Sequence, residues 1–229
     1  MRLRTPAIVL ALLLLCGAAV AVGWSAGARR DDFETVARRA TPAVVALYSD
    51  FGSARRDQPV GAGFVTREGF VIASARAIET APYLEARLAS GQRVRATVLG
   101  RDDGSDLAAL RLETDAPPKA LEWGSTTRPG RSVLVVGAGR GMSPPLVSAV
   151  VASGARRVND SRIGLVQIDR PLGRGHWGAP VLDPQGEVIA VVVARPSEVA
   201  FAEGSAFALS AAAARPIVAR LIDEASDGR

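Results

Sequence analysis

His176, Cys16 and Lys119 are each the sole residue of their type in this 229-residue chain, and their positions limit the chemistry it can host. A lone cysteine forms no internal disulfide, and one histidine with one cysteine is too few ligands for an ordinary zinc site. No metal and no cofactor are therefore expected. The histidine lies in a glycine-flanked loop, Gly175-His176-Trp177-Gly178-Ala179-Pro180, and is read as an exposed loop residue. A hydroxyl nucleophile needs an activating base beside it. Two serines sit near charged residues, Ser74 in Ala73-Ser74-Ala75-Arg76-Ala77-Ile78 and Ser105 next to Asp106. Neither has an imidazole nearby in sequence. A guanidinium keeps its proton near neutrality, so Arg76 cannot act as the base. Lys119, the only candidate for a Ser–Lys arrangement, follows the break Asp115-Ala116-Pro117-Pro118.

Composition fits a folded globular chain: 48% of residues are hydrophobic and 22% are charged. The net charge of +5 comes from arginines scattered singly or in short pairs, such as Arg38-Arg39 and Arg156-Arg157. No basic stripe interleaved with aromatics is present, and nucleic acid is not an expected partner. Arg2 and Arg4 precede an apolar run from Ala7 to Trp24, followed by Ala26-Gly27-Ala28. Residues 1–28 read as a signal peptide or signal anchor, a hydrophobic N-terminal helix that places the rest outside the cytoplasm and tethers it to the membrane. Residues 29–40 read as a linker and a short helix.

From Thr41 onward, short apolar runs alternate with turn residues. Pro42–Ser49, Gly61–Thr66, Phe70–Ser74, Tyr83–Leu88, Val94–Gly100 and Leu107–Leu112 are predicted strands, with Arg67-Glu68-Gly69 and Ser90-Gly91 as turns. After the proline break come six more: Ser132–Gly137, Leu146–Ala155, Gly164–Asp169, Ala179–Asp183, Val188–Ala194 and Ser205–Leu209. Asp183-Pro184-Gln185-Gly186 is a strong turn. Apolar positions Ile217, Val218, Leu221 and Ile222 recur at helical spacing, with Ser210 as a candidate N-cap. Many short strands at this spacing argue for barrels or a sandwich over a parallel sheet.

Six strands, a break, six strands and a terminal helix resemble the trypsin-like double barrel, and the motifs resemble its HtrA/DegP branch. Thr41-Pro42-Ala43-Val44-Val45 is similar to the opening strand. Gly61-Ala62-Gly63-Phe64-Val65 and Gly69-Phe70-Val71-Ile72 are similar to the Gly-Ser-Gly-Phe and Gly-Tyr hairpin. Gly91-Gln92-Arg93-Val94-Arg95-Ala96 resembles the strand before the acid motif, and Ser105-Asp106-Leu107-Ala108-Ala109-Leu110 resembles Thr-Asp-Leu-Ala-Val-Leu. Gln167-Ile168-Asp169 and Gly186-Glu187-Val188-Ile189-Ala190 flank a loop that resembles Gly-x-Ser-Gly-Gly-Pro. The fold implied is all-β, with two six-stranded antiparallel barrels over about 41–114 and 128–209 and a helix over 210–225, together a domain at 41–225. No PDZ domain is expected after that helix.

The resemblance aligns Asp106 with the triad aspartate, Arg76 with the histidine and Trp177 with the serine, while Ala179 replaces a glycine. It aligns Gly175 with the glycine whose N–H helps to form the oxyanion hole. His176, adjacent to Trp177, cannot take up the place of a base that approaches from the other barrel. The implied protein is a pseudoprotease without an intact triad that binds extended peptides or misfolded exported proteins through Gly175, His176, Trp177, Gly178 and the strand Val191, Val192, Val193, Ala194. Two arrangements are open for Arg76: an ion pair with Asp106, or a solvent-facing side chain with Asp106 bonded to backbone. Trp177 either fills the cleft or swings onto a surface loop. The alternatives are a serine-type endopeptidase with a non-standard site and a regulatory subunit of an active homologue, docked through Trp177 and Trp123. A homo-oligomer is also an expectation, since relatives of this kind often form trimers.

Overall fold

Alternation along the first strand explains how two barrels come to share an apolar interface. In β1 (Val44–Ser49), Val45 and Leu47 join the interior of the first barrel, while Val44, Ala46 and Tyr48 pack with the cluster that fills the second. Side chains alternate between faces with period two, so a strand buried on both faces needs an almost unbroken apolar run, and Val-Val-Ala-Leu-Tyr supplies it. The computed structural model describes residues 33–49, 58–79, 83–125, 128–139, 144–158, 161–194 and 204–227. The leader over 1–28 and the hydrophobic helix read there lie outside the described residues. Among the described residues, no helix is long and apolar enough to cross a membrane.

A short helix, α1 (Phe33–Ala40), leads in. The first barrel contains β1, β2 (Gly61–Val65), β3 (Val71–Ser74), β4 (Leu84–Arg87), β5 (Arg93–Asp102) and β6 (Leu107–Leu112), closed in the order β1-β2-β3-β6-β5-β4. The second contains β7 (Ser132–Val136), β8 (Leu146–Val158), β9 (Ser161–Ile168), β10 (Pro180–Leu182), β11 (Val188–Val192) and β12 (Ala206–Ser210), closed as β7-β8-β9-β12-β11-β10. The two orders are the same, and every pairing is antiparallel.

The strand bounds differ from the sequence reading where backbone chemistry dictates it. Pro42 sits in a 3-10 turn, Thr41–Ala43, so β1 starts two residues later than the apolar run. The β8–β9 hairpin extends to Val158 through several register shifts, which let a strand continue past irregular pairing.

The linker between the barrels is hydrogen-bonded to both. Leu121 N–H donates to the Val65 carbonyl at 2.8 Å, and Val188 N–H donates to Glu122 at 2.8 Å. Trp123 stands edge-on to the fully buried Phe64, with ring centroids 5.5 Å apart. The C-terminal helix, α2 (Ala211–Asp227), buries Ala211, Ala214, Val218 and Leu221, a helical stripe that lies on strands of both barrels. Leu221 fills the space over Gly100, where a Cβ would come within 3.2 Å of its side chain.

Candidate functional site

Asp106, immediately before β6, has a left-handed backbone conformation (φ 60°), the one non-glycine residue with positive φ among those described. Asp tolerates this region better than most residues, at a cost that must be offset locally. The offset is visible in its carboxylate. The Ser74 hydroxyl donates to Oδ1 and Oδ2 at 2.9 and 3.0 Å, the Arg76 N–H donates to Oδ1 at 2.8 Å, and the Ala194 N–H donates to Oδ2. Its carbonyl accepts the Ala75 N–H. Burial pushes the carboxyl pKa up, and the bonds from Arg76, Ser74 and Ala194, with the Arg76 charge, offset only part of that.

Of the two arrangements left open for Arg76, the structure has the second: the Arg76 side chain is exposed, and Asp106 is served by backbone N–H groups and a serine hydroxyl. Asp106 thus ties β3 and the end of the second-barrel strand run to the start of β6.

The loop after β9 closes as a 3-10 turn, Arg174–His176. His176 N–H donates to Gly173 at 2.9 Å and Trp177 N–H to Arg174 at 3.0 Å. An oxyanion hole of the serine-protease kind needs the N–H at the nucleophile position free to meet substrate. Here that N–H is engaged within the turn. The Trp177 carbonyl accepts the Ala62 N–H across the barrel boundary at 2.8 Å, and Gly178 N–H donates to Val192 at 2.8 Å. Gly178 (φ 82°) presses on the first barrel so closely that a Cβ would lie 2.3 Å from the Ala62 carbonyl oxygen and 2.6 Å from the Ser74 nitrogen. Through these contacts the backbones of Arg76, Asp106 and Trp177 converge. The Trp177 ring is half-buried, and the Arg174 guanidinium carbon lies 4.9 Å from its centroid, within cation–π range.

His176 is not the exposed loop residue the sequence suggested. Its ring is half-buried against Gly137, where a Cβ would come within 2.7 Å of it, and both ring nitrogens are enclosed without a hydrogen-bond partner. The missing side chain at Gly137 opens the slot, and the bond from Ala138 N–H to the Gly175 carbonyl at 2.7 Å clamps the turn above it. Burial pulls the imidazole pKa down. The nearby Gly173 backbone offsets part of this, without the geometry of a hydrogen bond.

Val191, Val192, Val193 and Ala194 are buried, with β11 between β10 and β12. Val192 N–H donates to Ala179, Val193 N–H to Phe207 and Ala194 N–H to Asp106, so these three donors are already engaged. The rescue nucleophiles are similarly placed. Ser74 is fully buried, Ser105 faces Asp102, and Lys119 is exposed on the linker. Trp123, a proposed partner contact, packs inward on Phe64. Among the described residues, no cluster of three or more His, Cys, Asp or Glu could hold a metal. Sequence reasoning missed the Ser74–Asp106 bond. A small polar residue two positions before Arg76 was the available signal.

Comparison with known proteins fits this geometry. The family model described as a trypsin-like peptidase domain matches residues 61–191. A protein named as a probable periplasmic serine endoprotease, DegP-like, from Pseudomonas savastanoi pv. phaseolicola is 26% identical over 140 residues, 60% of this chain and 29% of the relative. The mitochondrial serine protease HTRA2 of Bos taurus is 29% identical over 146 residues, 59% of this chain and 32% of the relative. The chain thus spans about a third of the length of these relatives. Among solved structures, the HtrA-type protease AlgW with decapeptide superposes with a TM-score of 0.71 at 20% identity, covering 84% of this chain and 68% of that one. The serine endoprotease from Yersinia pestis gives 0.70 at 23% identity, covering 86% and 68%. With the family model spanning more than half of its residues and two closed six-stranded barrels carrying them, this chain belongs to the trypsin-like peptidase domain family, with HtrA and DegP proteins among its relatives.

Proposed function

We propose that this protein is a catalytically inactive HtrA-like pseudoprotease that binds extended peptides or unfolded exported proteins without cutting them. The observation that carries the reading is the pair of substitutions at the converging positions: a guanidinium at Arg76 and an indole at Trp177, where the family's chemistry needs an imidazole and a hydroxyl. Two features support it. Trp177 N–H is engaged within its own turn, and the Asp106 carboxylate already accepts bonds from three groups. The positively charged start and apolar run at residues 2–24 support an exported, membrane-tethered location, and one relative is named as periplasmic.

In this reading the binding surface is centred on the turn Gly175–Gly178 and the half-exposed Trp177 ring, whose flat face suits an interface anchor. The segment Val191–Ala194 acts from below as a support, because its N–H groups at 192, 193 and 194 are engaged. The test is calorimetric titration of the purified protein with an unfolded polypeptide such as reduced, alkylated lactalbumin, with mass spectrometry of the polypeptide afterwards. Saturable binding with an intact ligand is expected. Rapid cleavage would overturn the proposal and favour the second reading, an endopeptidase with a non-standard site, which rests on the family match and its protease-named relatives.

A further inference from the structure

Away from the degenerate triad, a groove of about 380 Å³ runs between the first barrel and the loop after β7. One wall is built from β1 residues Val44–Ala46 and from Arg87 and Leu88, and the other from Gly137, Ala138 and Gly139. That volume lies in the range of small-ligand and short-peptide sites. Among the described residues Arg87 is the only charged one in the lining, and no described acidic side chain pairs with it. A second, independent feature points the same way. Arg87 is registered directly opposite Arg93 on β5, two like charges on one face of the sheet, an arrangement that is destabilising unless a counter-charge relieves it. Arg93 has such relief, from Glu85 at 3.4 Å and from the Tyr48 ring at 5.0 Å. Arg87 has none.

We propose that this groove binds an acidic segment of an extended peptide, with a Glu or Asp carboxylate held by Arg87 and small apolar neighbours packed along Val44, Ala46 and Leu88. Ala46 is the direct cross-strand neighbour of Arg87 on β1, so the cation stands flush with the apolar wall. An acidic residue flanked by alanine or serine matches that pattern of charge and size. The Tyr48 hydroxyl braces the far wall through its bond to the Gly139 carbonyl at 3.2 Å. The site is independent of the pseudoprotease reading, because none of its lining residues belongs to the turn at 173–179 or to the positions aligned with the triad.

The test uses the full chain and fluorescein-labelled hexapeptides blocked at the C-terminus as amides, one with two adjacent glutamates among alanines and one with glutamines in their place. Fluorescence anisotropy is expected to show the glutamate peptide binding at least about tenfold more tightly, the scale of one charge-assisted contact, and weakening as salt is raised. Arg87→Gln should bring the glutamate peptide down to the level of the glutamine one. Ala89→Trp, a substitution at an exposed lining residue, should block the groove and weaken binding without touching the core. Equal affinity for the two peptides, or unchanged binding in Arg87→Gln, would each overturn the proposal.

Discussion

Replacing Asp106 by alanine tests whether this residue acts as a structural tie. The substitution removes the acceptor for three donors: the fully buried Ser74 hydroxyl, the Arg76 N–H and the buried Ala194 N–H. Each orphaned buried donor costs about 1–3 kcal/mol. Alanine also sits less well than aspartate at φ 60°. Because some of these donors will find water, the expected loss is about 3–6 kcal/mol, a large share of the roughly 5–15 kcal/mol that holds a domain folded.

Asp106→Asn should cost less, about 1–3 kcal/mol, because its carbonyl still accepts one N–H and Ser74 can turn its hydroxyl to accept from the new amide. The direction of the carboxyl pKa agrees with this contrast. Since burial raises it, the folded state binds more protons than the unfolded chain between the ordinary carboxylate range and the raised value. The contribution of this group to stability therefore falls as pH rises through that window, and Asn should remove the slope. Urea unfolding followed by far-ultraviolet circular dichroism measures all three proteins. A loss below about 1 kcal/mol for the alanine variant, closer to that of an ordinary surface change, or equal losses for alanine and asparagine, would mean that Asp106 is not a structural tie.

Gly178→Ala should destabilise by about 2–4 kcal/mol, because its Cβ meets backbone atoms of Ala62 and Ser74 that cannot swing aside and its φ is positive. Urea midpoints measure this, and a near-neutral result would mean that the barrels do not meet at this glycine. His176 is the only histidine, and burial lowers its pKa. The unfolded chain therefore binds a proton that the folded one resists. Stability should fall as pH drops below about 6.5 toward the lowered folded value, with a slope of at most about 1.4 kcal/mol per pH unit. His176→Gln should flatten that slope, and equal slopes would contradict the buried placement. The double change Arg76→His with Trp177→Ser should hydrolyse an activated ester measurably faster than either single variant. The gain is expected to be small, because the N–H at position 177 is engaged in the turn.

The architecture was legible because both barrels are built from short apolar runs with turn residues between them, and turns such as Asp183-Pro184-Gln185-Gly186 announce themselves by residue type. In the structure Asp183 collects the Gln185 and Glu187 N–H groups in that turn and pairs with Arg131 at 3.0 Å. The placement of His176 was not legible, since it depends on the absence of a side chain at Gly137, some forty residues away in sequence. Arg76 was similarly ambiguous. Its charge made an ion pair with Asp106 as plausible as exposure, and the choice turned on the Ala194 N–H and the Ser74 hydroxyl filling the carboxylate first. Nor could sequence show that the N–H groups of Val192, Val193 and Ala194 would be engaged in the barrel, because strand pairing and a long-range acceptor decide that.

The proposed inactivity requires that this double barrel hold no activated serine. The decisive experiment is to incubate the purified full chain with a fluorophosphonate probe and measure its intact mass. A mass unchanged over hours is expected under conditions in which an active trypsin-like enzyme is fully labelled. A stoichiometric adduct on one serine, abolished by replacing that serine with alanine, would contradict it.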